Sequence, residues 1–332
     1  MKTYRFALLL GDGAGPALCA GAERLLRALG NRFGWQPEIQ TLPFGWSAYD
    51  RLGDPLPEET VQGITSSDAA LIFALQTGGM PGMTPVGRLR KELGLFAEVR
   101  EAVSGPEADR PGIRIAFVRE ITQGFLADRN LFRGCGEWMP DEHSALSLRV
   151  ITREASSRIA AYAFDYAARA GYGLVTAAHK ASILKLTDGL FLEACRAEAA
   201  KHPEITYEEA NVDDLAGDLI RKPERYGVIV TTNLFGDILS DEGAALVRDR
   251  CAGINIGEKS RVYLPVVHKA NPEAAARDAF ACAPAMTALG LALRDLGETD
   301  AAALLARAAE KAEEKGLTGS RFLAETEDGI NG

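Results

Sequence analysis

The sequence has little cysteine or histidine, no long apolar run and no cluster of basic residues. Its five cysteines (Cys19, Cys135, Cys195, Cys251 and Cys282) are scattered, odd in number and without CxxC spacing. That pattern argues against a disulfide framework or a zinc ribbon and fits a thiol-reduced, cytoplasmic setting. Four histidines leave imidazole catalysis little to choose from. The apolar run in MKTYRFALLLGDG stops at Gly11, too soon for a signal peptide or a membrane span. With a net charge of -9 and no polybasic segment, neither nucleic acid nor a membrane surface is an expected partner.

What is present is an ordinary globular composition, 47% hydrophobic and 25% charged over 332 residues, too long for one small core. Two domains are expected. Short β-branched runs alternate with alanine- and leucine-rich helical patterns, which indicates an α/β fold with a largely parallel sheet. GDGAGP, from Gly11 to Pro16, is a glycine turn joining a strand to a helix. It lacks GxGxxG spacing, so it serves packing or a ligand equally well. Cys251 to Gly257 reads as loop, and two alanine-rich helices, Pro272 to Leu296 and Ala301 to Lys315, are expected to close the chain. The irregular segment after Ile121, followed by alternation from Leu146 to Ile151, reads as a protruding loop or β arm.

The chain is organised around VIVTTNLFGDILSDEGAA, Val228 to Ala245. A buried strand, Val228 to Thr232, precedes a helix from Leu234 on which Asp237 and Asp241 share one face. Two carboxylates stacked one turn apart need a cation between them when buried. They form half of a site for a hard divalent ion, Mg²⁺ or Mn²⁺, or else two acids on a wet helix face. Arg88, Arg90 and Arg100 could bind carboxylates bidentately. On a helix, Arg88 and Arg90 diverge by about 200°. Lys180 stands at a strand end beside apolar neighbours, where desolvation would lower a lysine pKa and suit it to proton transfer. Asp213 or Asp214 would cap or start a helix.

These blocks together resemble a known family. GDGAGP, LRKELGLFAEVR ending at Arg100, VRE at Val118, TREASSRIAAYAFDYA from Thr152, HKASILKLTDGLF from His179 and the long run from Val212 stand in order along nearly the whole chain. They are similar to the metal-dependent β-decarboxylating dehydrogenases of isopropylmalate, isocitrate, homoisocitrate and tartrate or D-malate. The resemblance implies an isopropylmalate-dehydrogenase-like two-domain fold. Residues 1–98 with 246–332 would form the terminal, cofactor-side domain. Residues 99–245 would form the central substrate and dimerisation domain, with its arm near 126–151. It implies a homodimer with shared active sites acting on a di- or tricarboxylic acid. Asp237 and Asp241 would hold Mg²⁺ or Mn²⁺, with Asp213 lent by the partner for metal binding and catalysis. Arg90, Arg100 and Arg119 would hold substrate carboxylates, and Lys180, also from the partner, would be the general base. His268, Asn271 and Ser182 would face NAD or NADP.

The sequence also departs from the family pattern. Leu126 stands where a proton-donating tyrosine is usual, Ser182 replaces an asparagine of the KANxLK motif, and Glu98 replaces an asparagine near Arg100. The adenosine-binding loop is shortened to LPVVHKANP, Leu264 to Pro272. Three readings follow. The first is a divergent NAD- or NADP-dependent dehydrogenase of a malate-type 2-hydroxy acid. The second is a non-oxidative metal-dependent β-keto-acid decarboxylase or lyase on the same site. The third is a non-catalytic organic-acid-binding homologue.

Overall fold

Strand Lys2–Leu9 runs into a turn where Gly11 has φ +60°, and a Cβ there would lie 1.9 Å from the carbonyl oxygen of Ala74. Only glycine fits so close a backbone approach, so packing by itself requires the glycine. Pro16 falls in the first turn of helix Gly15–Phe33, where a missing N–H costs nothing. The helix buries Leu18, Ala22, Leu25, Leu26 and Leu29 as one stripe. It ends at Gly34, left-handed, whose N–H donates to the Gly30 carbonyl.

The computed structural model describes residues 1–75, 83–104, 110–126, 135–247, 251–266 and 282–332. The chain divides into two compact units, Met1–Gly94 with Asp249–Gly332, and Leu95–Arg248. In the unit formed by the chain ends, the strand order is Trp35–Leu42, Lys2–Leu9, Ala69–Ile72, Arg261–Pro265, Ala252–Ile256. The first four strands are parallel, and the last pairs antiparallel to its neighbour. Residues Cys251 to Gly257, expected as loop, therefore contain a strand, Ala252–Ile256, with every residue buried. Gly253 and Asn255 interrupt its apolar pattern, yet burial on both faces holds it in the sheet. Cys282–Asp295 and Thr299–Glu314 are the expected closing helices, the first beginning where description resumes. A third helix, Gly319–Asn331, follows them. Its few apolar residues, Phe322, Leu323 and Ile330, are too sparse among polar ones to have marked it.

In the unit Leu95–Arg248 the strand order is Ala97–Val103, Arg114–Glu120, Val228–Thr231, Leu174–His179, Thr206–Asn211. The first pair is antiparallel and the others are parallel. Within each unit the strands are thus largely parallel, with one antiparallel pair. Helix Arg153–Ala170 covers one face, capped by Thr152, whose hydroxyl accepts from the Ala155 N–H at 3.2 Å. Helix Asn233–Leu246 covers the other face. It lies close because Gly236 and Gly243 face the sheet; a Cβ at Gly243 would fall 2.2 Å from the Phe117 ring.

Within the segment expected to form the arm, Glu137–Asp141 and Ser144–Ser147 pair as an antiparallel ribbon. Every residue of both strands is exposed, Trp138, Met139 and Leu146 among them. Val150 bridges back to Gly124 rather than extending the ribbon. Residues 127–134 of the arm lie outside the described residues. Among the described residues, no helix is long and apolar enough to cross a membrane.

Candidate active site

The apolar run Val228–Thr231 is a fully buried central strand, held between Arg114–Glu120 and Leu174–His179. It delivers the chain to helix Asn233–Leu246, one residue earlier than expected, with Thr232 at the N-cap. Asp237 and Asp241 stand one turn apart on this helix, each side chain about half exposed.

What faces them is set by strand register. Glu98 lies opposite Arg119 and Arg100 opposite Phe117 across the antiparallel pair. Side chains alternate along a strand. Glu98, Arg100, Phe117 and Arg119 therefore share the face covered by the helix. Glu101, of opposite parity, instead accepts a hydrogen bond from Tyr166 of helix Arg153–Ala170. The strand Ala97–Val103 was not apparent from its sequence, because AEVREAV reads as charged. Its charges are tolerated because each is paired.

Arg119 donates through Nη1 to Asp237 and, at 3.2 Å, to Glu98 Oε2, while Nη2 donates to Asn233 Oδ1 at 2.7 Å. Arg100 donates through Nη1 to Asp241; its Nη2 lies 3.5 Å from Asp237 and 3.4 Å from Glu98 Oε2. Glu98 is 1% exposed, Arg119 8% and Arg100 12%. Burial opposes the charge on Arg100, but Glu98, Asp241 and Asp237 outweigh it and raise its pKa. Three carboxylates meet two guanidiniums, a formal excess of one negative charge.

The cluster is not saturated. Nε of Arg119 and Nδ2 of Asn233 are buried donors that no acceptor among the described residues satisfies, whereas Arg100 Nε lies 3.3 Å from Glu98 Oε1 in an ion-pair contact without a hydrogen bond. Buried donors of this kind are costly unless a ligand supplies the acceptor. Asp237 and Asp241 each engage one oxygen, leaving the other without a hydrogen bond among the described residues. Two hard oxygen donors spaced one turn apart fit Mg²⁺ or Mn²⁺. Among the described residues, no three acidic, histidine or cysteine side chains gather in a metal-holding arrangement. In the single chain, then, Asp213 does not join Asp237 and Asp241 in such a group.

Lys180 and Asp213 form a separate pair. Strands Leu174–His179 and Thr206–Asn211 run parallel with His179 beside Asn211, so the residues that follow leave the sheet side by side. Lys180 Nζ donates to Asp213 Oδ1, and that contact holds the exposed Asp213 carboxyl below the usual carboxylate range. Of the apolar residues that follow Lys180 in sequence, Ile183 is 72% exposed and Leu186 87%. Asp213 lies in the first turn of helix Val212–Arg221, where the helix dipole favours negative charge. Ser182 is exposed and bonds Asn211 Oδ1 at 3.2 Å.

Asp188 and Arg149 were not singled out in the sequence. Asp188 is fully buried; its Oδ2 accepts the Lys180 backbone N–H at 2.6 Å, and its Oδ1 accepts from Arg149 Nη2 at 2.6 Å. Arg149 also donates to Thr187 at 2.5 Å and to Thr232 at 3.1 Å. One arginine thus ties the Lys180 segment to the start of the helix bearing Asp237. The only sequence signal was an aspartate inside an otherwise apolar helix start.

Arg90 lies on helix Pro85–Glu92 in the other unit, where its Nε donates to Asn255 Oδ1 at 2.7 Å. Arg88, on the same helix, pairs with Asp54 and Glu92. His268 and Asn271 lie outside the described residues.

A family model described as isocitrate/isopropylmalate dehydrogenase matches residues 5–327. The chain is 38% identical over 323 residues to the 3-isopropylmalate dehydrogenase of Archaeoglobus fulgidus, a match spanning 94% of this chain and 92% of that one. It is 35% identical over 319 residues to the isocitrate/homoisocitrate dehydrogenase of Thermus thermophilus, spanning 94% and 92%. The crystal structure of isocitrate dehydrogenase from Methylococcus capsulatus matches with a TM-score of 0.85 at 33% identity, covering 99% of this chain and 100% of that one.

Proposed function

The chain belongs to the isocitrate/isopropylmalate dehydrogenase family, and from that premise we propose that it is a Mg²⁺- or Mn²⁺-dependent NAD- or NADP-linked dehydrogenase of a malate-type 2-hydroxy acid. The observation that carries this reading is the interleaving of Asp237 and Asp241 with Arg100 and Arg119, where the buried Arg119 Nε and Asn233 Nδ2 have no acceptor among the described residues. A carboxylate-bearing ligand supplies those acceptors, and the free oxygens of the aspartates supply hard donors for a cation.

In this reading Asp237 and Asp241 of one subunit hold the metal with Asp213 of a second copy, in a homodimer joined in part by the exposed ribbon. A divalent cation bound there supplies Lewis acidity to the acid's hydroxyl and adjacent carboxylate. Arg100 and Arg119 bind and orient the remaining carboxylate through charge-assisted hydrogen bonds. Lys180 accepts the hydroxyl proton. For that it must stand deprotonated and leave Asp213, so its pairing with Asp213 makes the two act together. Asp188 fixes the backbone from which Lys180 projects.

A second reading, a non-oxidative β-keto-acid decarboxylase or lyase on the same site, draws support from the shortened segment Leu264 to Pro272 and from Leu126. Calorimetric titration of Mg²⁺-loaded protein with NAD and with NADP, each with and without malate, separates the two. Saturable nucleotide binding supports the dehydrogenase. Acid binding without response to either nucleotide replaces it with the non-oxidative enzyme.

A further inference from the structure

Three strand exits meet in the unit formed by the chain ends. Lys2–Leu9 is flanked by Trp35–Leu42 on one side and Ala69–Ile72 on the other, all parallel. The chain therefore leaves Lys2–Leu9 for one neighbour and returns on its opposite side to make the other. Such a switch in strand order opens a crevice at the carboxyl ends, where open α/β sheets take their ligands. Here the exits are tied to one another. The Asp12 N–H donates to the Ala74 carbonyl at 3.1 Å. The Ser47 N–H donates to Asp12 Oδ1 at 3.0 Å, and its hydroxyl to the Gly11 carbonyl at 2.8 Å. Gly45, at φ +83°, has no room for a Cβ, which would lie 2.7 Å from Asp12 Oδ2. The segment from Gly45 to Ser47 is thus fixed against the glycine turn, and the side chain it presents is Trp46.

Trp46 opens the short helix Trp46–Leu52 and is only partly buried, as is Tyr49 one turn on. Their ring centroids lie 5.7 Å apart with the planes at 89°. In an edge-to-face pair one ring meets the other with its rim, so the indole keeps a face that Tyr49 does not cover. The buried Asp12 carboxylate, bonded to the Ser47 N–H, lies one residue from Trp46 along the chain. An aromatic face close to a buried anion suits a flat cation, since the ring quadrupole and the charge attract it together.

We propose that Trp46 is a cofactor-binding residue, the indole on which the nicotinamide ring of an oxidised dinucleotide stacks, with Asp12 complementing the ring's positive charge. This inference rests on the NAD- or NADP-linked reading above. Of the parts of such a cofactor, only the oxidised nicotinamide is both flat and cationic. Adenine is flat but neutral, and Asp12 would repel the pyrophosphate.

The test is calorimetric titration of wild type and Trp46→Leu with whichever oxidised cofactor binds, NAD or NADP, and with the same nucleotide lacking its nicotinamide (ADP-ribose or its 2′-phosphate). The expected result is a loss of about tenfold or more in affinity for the complete cofactor, with the affinity for the ring-less nucleotide unchanged. Equal loss for both would mean that Trp46 acts on the fold or on the adenosine half, and overturns the proposal. So does a variant that binds the complete cofactor as the wild type does. Should Trp46→Leu fail to fold, tryptophan fluorescence decides in a Trp138→Phe protein, where the remaining tryptophan, Trp35, is 3% exposed. The oxidised cofactor should quench the emission and the ring-less nucleotide should not; equal quenching, or none, overturns the proposal. If neither NAD nor NADP binds the wild type, the dehydrogenase reading falls and this proposal with it. That silence is seen before any substitution is made, so it is distinct from a failure at Trp46.

Discussion

Arg100 and Asp241 are joined by a hydrogen-bonded ion pair, and the same guanidinium lies 3.5 Å from Asp237. The repulsion between two carboxylates one turn apart is thus relieved by an arginine from a neighbouring strand. A cation that took over both aspartates would free Arg100 to bind an anion. Metal and acid should therefore bind with positive coupling. By linkage, each ligand raises the other's affinity by the same factor.

Replacing Asp237 with Asn removes one metal donor without changing side-chain shape. Mn²⁺ affinity should fall by at least about tenfold, the loss of roughly 1.4 kcal/mol, and malate binding should lose its metal dependence. Calorimetric titrations of Mn²⁺ alone, and of malate with and without Mn²⁺, check both points. A variant that binds metal and acid normally would show that the aspartate pair is not the site.

The helix reaches Arg119 only because residue 236 is glycine. A Cβ at Gly236 would lie 2.8 Å from Arg119 Cβ and 2.7 Å from its Cγ, atoms too near the backbone to swing aside. Gly236→Ala should cost about 1–3 kcal/mol by overpacking. It should also weaken malate binding, because Arg119 is pushed from Asp237 and Asn233. Urea unfolding measures the first effect and calorimetry the second. Wild-type values in both would mean that the helix approaches less closely.

Much of this arrangement was legible in the sequence, and the physical reason differs from part to part. The apolar run at Val228 and the four-residue spacing of Asp237 and Asp241 are local signals, and the strand and helix follow from them directly. The meeting of Glu98 with Arg119 is a matter of register between antiparallel strands, which no spacing within either strand reveals. Ala97–Val103 also hid because its charges are buried in pairs rather than replaced by apolar residues. Asp188 and Arg149 meet across 39 residues, and Ala252–Ile256 is held by its neighbours against a weak intrinsic pattern.

Arg149 and Asp188 make a buried pair, 8% and 0% exposed. Removing one partner strands the other's charge, so Asp188→Asn should destabilise the fold by about 3–5 kcal/mol. Removing both, as Arg149→Met with Asp188→Asn, should cost less than the sum of the two single changes. Urea unfolding of the four proteins in a double-mutant cycle reads the coupling. A coupling of zero would refute the pair's role in holding the Lys180 segment.

Glu209 supplies a pH test away from the site. Arg196 donates to both its oxygens, at 2.7 and 2.8 Å, and these bonds, opposed by burial and helped by Tyr207, hold its carboxyl below the ordinary 4.5. A depressed carboxyl contributes stability that is fully present above its unfolded pKa and lost as pH falls through its folded one. Arg196 is 58% exposed, so the contribution is small, at most about 1 kcal/mol. Arg196→Gln removes the cation and should lower the melting temperature at pH 7. As pH falls through that lowered folded value, wild-type Glu209 takes up its proton and gives up the same interaction. The gap between wild type and variant should therefore close on the acid side, in thermal unfolding followed from pH 7 to pH 3. A gap that stays constant across that range would mean Arg196 acts through its aliphatic stem rather than its charge.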